Sequence, residues 1–115
     1  MISLDQFKEV EMRVGLVVES VDQPGSEKLI KLTVDLGEET TRTIFTAVRP
    51  FGYKPEYFLN KKWVFVTNLE PKKIMEEESQ GMILAVGDDP SASSGQAKPI
   101  FVTLAEDAPV GTKVR

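Results

Sequence analysis

From Ile30 to Leu36 the chain alternates without a fault: Ile30, Leu32, Val34 and Leu36 are apolar, and Lys31, Thr33 and Asp35 between them are polar. Side chains repeat every two residues on a strand and every 3.6 on a helix, so this segment is a strand with one face buried. A half-buried strand needs partners, and the neighbouring sequence supplies them. Glu11 to Val21 is long and rich in β-branched residues, with Gly15 expected to mark a bulge or sharp bend. Pro24-Gly25-Ser26 reads as a turn, and Gly37-Glu38-Glu39 closes a hairpin into Thr41–Thr46.

The remainder adds two strands and little helix. Ser3 and Gln6 have the spacing of a capping box, which opens a short helix through Phe7 and Lys8. Residues 50–55 form an irregular connection, followed by a short helical piece at Glu56–Leu59. Lys62–Asn68 is the fourth strand and Gly81–Val86 the fifth. Leu69–Gln80 reads as a polar loop, Gly87–Pro99 as a mobile one, and Ile100–Leu104 as an apolar edge. Five strands with a helix between the third and fourth describe an all-β, five-stranded OB-fold barrel with short helices and terminal extensions. At 115 residues, 41% hydrophobic and 28% charged, the chain suffices for one such domain with its own core. The expected domain is 1–115, with a core of about 7–86 and an extension over 87–115.

Missing residue types narrow the chemistry. With no cysteine there is neither disulfide nor thiolate metal site, and with no histidine the usual zinc ligand and general base are gone. No run has the spacing of a calcium loop, and neither metal nor cofactor is expected. Hydrolysis or group transfer would need paired carboxylates in a cleft, and Glu76-Glu77-Glu78 reads instead as a solvated run, so no enzymatic activity is expected. The apolar runs are too short for a membrane span and Met1–Asp5 has no leader character, which sets a cytoplasmic expectation.

Net charge is −4, yet Lys28 to Lys73 contains nine basic and five acidic residues, a local +4 against −8 elsewhere. Such a middle can present a phosphate-binding patch on an acidic protein. A solvated surface of mixed sign fits the same counts.

The motifs then become specific. Arg13-Val14-Gly15, Ser26-Glu27-Lys28-Leu29 and Val34-Asp35-Leu36-Gly37 come first in order. Asn68-Leu69-Glu70-Pro71-Lys72-Lys73 and Glu78-Ser79-Gln80-Gly81-Met82-Ile83-Leu84-Ala85 follow. This series resembles the tRNA-binding domain attached to many methionyl-tRNA synthetases and found as small stand-alone dimers, with export-chaperone relatives of the CsaA type. The resemblance runs from about Phe7 to Val86, with Pro109-Val110-Gly111-Thr112 also fitting. It implies an OB-fold that binds tRNA by shape, as a homodimeric accessory factor or subunit of methionyl-tRNA synthetase. The alternative it leaves is a chaperone-like or protein-interaction module on the same fold.

By that resemblance Asn68, Ser79 and Met82 are RNA-binding candidates. Asn and Ser hydrogen-bond bases or phosphates, and Met offers a polarisable surface to a base. Asn68 is equally suited to capping the turn before Pro71, Ser79 to bonding loop backbone, and Met82 to a core. Lys28, Lys31, Arg42, Lys72 and Lys73 are candidates for phosphate contacts. Arg42 and Lys31 are expected to face outward together on the hairpin. Arg13 matches the family but is also suited to holding a turn or a carboxylate. Two departures stand out: Met75-Glu76-Glu77 replaces the family's Arg-Gly-Val, and Val48-Arg49-Pro50 lacks its small hydrophobic and glycine.

Overall fold

The structure, a computed structural model, describes residues 1–87 and 97–115. Five strands form one antiparallel sheet in the order β3-β2-β1-β4-β7: β1 (Met12–Asp22), β2 (Ile30–Asp35), β3 (Arg42–Thr46), β4 (Lys62–Val66) and β7 (Met82–Ile83). Two small hairpins accompany it, β5 (Lys72–Ile74) with β6 (Glu77–Ser79), and β8 (Ala85–Val86) with β9 (Ile100–Phe101). The result is a nearly closed OB-like barrel, as the sequence pattern predicts. The one α-helix among the described residues, α1 (Leu4–Lys8), has the expected capping box between Ser3 and Gln6.

The long β1 serves two neighbours. Its first half pairs with β4 and its second half with β2, and the register slips between Val17 and Glu19. The bulge expected at Gly15 therefore lies three residues further on. Gly15 has another reason to be glycine: a Cβ there would stand 2.8 Å from side-chain atoms of Phe65 and Val34 and 2.9 Å from Leu36. Small size lets β1 pass over the barrel core.

Inward positions of every barrel strand fill that core. Ile30, Leu32 and Val34 alternate with half-exposed Lys31, Thr33 and Asp35, and Val17, Ile44 and Phe65 meet them from neighbouring strands. The link between β3 and β4 holds two short 3₁₀ turns, Arg49–Phe51 and Pro55–Tyr57, rather than an α-helix. Immediately after it Phe58 plugs one end of the barrel, fully buried, and its carbonyl accepts a bond from the Trp63 indole at 3.2 Å. Burying a phenylalanine stabilises by about 1.5–3 kcal/mol, so this plug ranks with the strand residues.

The fifth strand is divided: Leu84, between β7 and β8, donates to Val64 and accepts from Val102. Ile100, Phe101 and Val102 are thus already paired, and the open edge expected over Ile100–Leu104 is reduced to its last residues. Gly111–Val114 returns along β1, with Gly111 donating to Val14, Val14 to Thr112 and Val114 to Met12. The expectation for Gly87–Pro99 falls mostly on residues 88–96, outside the described residues. No helix among the described residues is long and apolar enough to cross a membrane.

Candidate nucleic-acid interface

The polar stretch Leu69–Gln80, read above as a loop, is largely the β5–β6 hairpin. Lys72 pairs with Ser79, Lys73 with Glu78 and Ile74 with Glu77, leaving Met75 and Glu76 as a two-residue turn. Met75 takes a left-handed φ of 56°, as a tight hairpin turn requires. Directly opposed residues share a face, so Lys72, Ile74, Glu77 and Ser79 point one way and Lys73 and Glu78 the other.

Between this hairpin and the barrel lies a groove of about 640 Å³. Leu29, Phe45 and Ala47 form its barrel side, Leu69, Lys72 and Ile74 its hairpin side, and Ser79 and Met82 also reach it. Of the eight candidates the groove thus gathers three: Lys72, Ser79 and Met82. Met82 is 46% exposed, so the groove, not the core, is its environment. Lys28 is exposed and adjoins Leu29 in the chain, while Lys73 lies on the far face of the hairpin. No ion pair among the described residues involves Lys28, Lys72 or Lys73.

Other candidates make contacts within the fold. Lys31 pairs with Phe45 across the ladder and Arg42 with Val34, so the two cations lie on opposite faces, not together outward. Arg42 instead reaches over the barrel end to Glu38 at 2.9 Å and to the carbonyls of Thr67 and Gln80. Lys31 holds Glu77 at 2.6 Å. Asn68 accepts a bond from the Glu11 amide at 2.8 Å and donates to the Glu9 carbonyl at 2.6 Å, tethering the chain before β1. Ser79 is buried; its hydroxyl accepts from Phe45 at 3.1 Å and donates to Gly81 at 3.2 Å. With Gln80, whose backbone and side chain both bond Thr43, it joins β3 to β6 and closes the barrel. Arg13 meets the Glu11 carboxylate at 2.9 Å, the structural role open to it from sequence.

Electrostatics soften the glutamate run. The Lys31 ammonium, hydrogen-bonded to its carboxyl, holds Glu77 below the ordinary value, and the Gln23 amide adds to this. Glu76 sits at the turn and Glu78 opposes Lys73. The groove is therefore apolar-floored, with the Lys72 cation and the exposed Glu70 carboxylate both at its lining, and suits a flat apolar group whose attached anion meets Lys72. Leu29, Phe45, Ala47, Leu69 and Ile74 were not among the candidates. The adjacent pair Ile44-Phe45 was the available signal, since two consecutive large apolar residues on a strand imply cover on both faces.

A family model described as "Putative tRNA binding domain" matches residues 12–113. The methionine–tRNA ligase of Deinococcus radiodurans is 43% identical over 115 residues, and that of Psychrobacter sp. 38% over 113. These alignments cover 100% and 98% of this chain, which spans only 16% and 15% of those relatives' length. Among solved structures, a MetRS-related protein from Pyrococcus horikoshii superposes with a TM-score of 0.86 at 36% identity, covering 100% of this chain and 98% of that one. The chaperone CsaA of Bacillus anthracis shares the fold, with a TM-score of 0.80 at 23% identity over 100% of this chain and 99% of its own. Matched over nearly its whole length by that model and by relatives well above 30% identity, the chain belongs to the tRNA-binding domain family.

Proposed function

We propose that this chain is a non-catalytic module that binds tRNA in the groove between the β5–β6 hairpin and the barrel. The observation that carries this reading is the groove itself: a half-exposed Met82 over an apolar floor, with Lys72, which has no ion-pair partner among the described residues, on the wall near Glu70. A base packs on the apolar surface while phosphates meet Lys72 and Lys28, which fits recognition by shape rather than sequence. Membership of the family supports tRNA as the ligand, and a family of binding domains supports a non-catalytic role.

The similarity to methionine–tRNA ligases favours service beside a synthetase in the cytoplasm, in one chain or as a subunit. A homodimer is also part of this reading. Met1, Ile2, Leu4, Val10 and Val114 are exposed, α1 buries none of its residues, and the two chain ends lie together at Phe7–Met12 and Lys113–Arg115. Such an apolar terminal face is the surface a second copy covers. A monomeric mass by light scattering at micromolar concentration removes the dimer from the proposal.

Gel shift with unfractionated tRNA at two salt concentrations, with duplex DNA as control, tests the central reading. Tight, salt-sensitive binding to tRNA alone is expected, because neutralised phosphates release counterions. Absence of binding at low salt overturns it. The apolar floor also suits a peptide, the chaperone-like alternative, and salt-insensitive capture of an unfolded polypeptide without tRNA binding would select that reading.

A further inference from the structure

Both oxygens of the Glu77 carboxylate are held. Lys31 Nζ lies 2.6 Å from Oε1, and the Gln23 side-chain amide donates to Oε2 at 3.2 Å. The two donors come from the barrel, one just after β1 and one on β2, while the carboxylate comes from the hairpin. An ammonium and an amide converging on two oxygens make an anion site, and here it is filled from within.

Its position matters. Lys31 is the cross-strand partner of Phe45 on the groove floor, and Glu77 is the partner of Ile74 on the groove wall. The contact therefore bridges barrel and hairpin beside the groove, where the backbone of a bound strand would pass. It is also open to exchange, since the Lys31 and Glu77 side chains keep 30% and 35% of their exposure. Two non-bridging phosphate oxygens present the same pair of acceptors as a carboxylate.

Resting on the tRNA-binding reading above, we infer that Glu77 is an internal competitor for a backbone phosphate. RNA enters by displacing it from Lys31 and Gln23, and the residue so sets affinity below what the groove would otherwise give.

The test is tRNA binding by the full chain and its E77Q, K31A, K31A/E77Q and E78Q variants across a salt series, with thermal melts of each. Solvent-accessible ion pairs are weak, so E77Q is expected to bind about two- to fivefold tighter at low salt. Wild-type Glu77, once displaced, takes up a cation in place of the one the phosphate releases, so E77Q is expected to steepen the log–log salt slope by up to the value of one phosphate, about 0.9 on a duplex or about 0.7 on a single strand. K31A and K31A/E77Q are expected to bind alike, and E78Q like wild type. Glu77→Asp, which keeps the charge but shortens the arm, gives a smaller gain than E77Q and serves if E77Q melts early. Equal gains in E77Q and E78Q would reduce the effect to net charge, and a gain that survives K31A would place it elsewhere; either overturns the inference. Weaker binding by a folded E77Q makes Glu77 a hairpin latch alone and overturns it too. Binding by wild type with no gain in E77Q overturns this inference and leaves the tRNA reading standing. Binding by neither at low salt overturns both.

Discussion

At Gly15 the side chain must be absent for three others to be present. A methyl there would press on Phe65, Val34 and Leu36 at 2.8–2.9 Å, all buried and unable to swing clear. Gly15→Ala is expected to destabilise by about 1–3 kcal/mol, the usual range for overpacking, read as a lower urea midpoint. Ser79→Ala leaves the Phe45 amide without its partner and opens the barrel seam; a loss of about 1–3 kcal/mol is expected in the same measurement. Met82→Ala is the contrasting case. The residue is 46% exposed, so stability should stay within about 0.5 kcal/mol while tRNA affinity in the gel shift falls. Asn68 and Ser79 were ambiguous in the sequence because a polar side chain that can meet RNA can equally meet backbone. Their partners, Glu9 and Glu11 for one and Phe45 for the other, are 34 to 59 residues away, which no local pattern discloses.

The elements differ in how firmly they are held. Strands β1, β2 and β4 bury nearly every inward residue and pair along their length. The β5–β6 hairpin has three residues a side and contributes only Ser79 as a buried residue. Two-stranded ribbons are marginal by themselves, and this one depends on Ser79 and Glu77 for its ties to the barrel. Amides of Lys73–Glu78 are therefore expected to exchange with deuterium well before those of Val17, Leu32 and Phe65; NMR-detected exchange checks this. The hairpin escaped the sequence reading for the same reason. Lys72-Lys73-Ile74 and Glu77-Glu78-Ser79 carry almost no hydrophobic alternation, whereas Ile30–Leu36 and Lys62–Asn68 carry a strong one. The capping box, by contrast, is wholly local, and it was legible.

Across the molecule, three of the carboxylates that join distant segments are held in their charged form. Glu11 takes a hydrogen bond from the Thr67 hydroxyl and one from Arg13, Glu77 from Lys31, and Asp107 from Lys62. All three are held below their ordinary values of 4.5, 4.5 and 3.8. A depressed carboxyl contributes stability that is present above its unfolded value and is lost as pH falls through the folded one. The urea midpoint should therefore be level near neutrality and fall from about pH 5 downward. E77Q should flatten part of that fall. The groups remain accessible to water, so screening keeps each share small.

The sequence by itself determined the all-β class, the barrel strands, the capped helix and, through motif order, the family. Each of these is written in short-range periodicity or in fixed spacing. Only the tertiary structure decided which polar candidates face the groove, that Arg42 turns to the barrel end, and that Glu77 fills the site between Lys31 and Gln23. Those outcomes depend on register and on which surface closes over which. Strand pattern tells a residue's face, but its partner is chosen when distant strands are brought together.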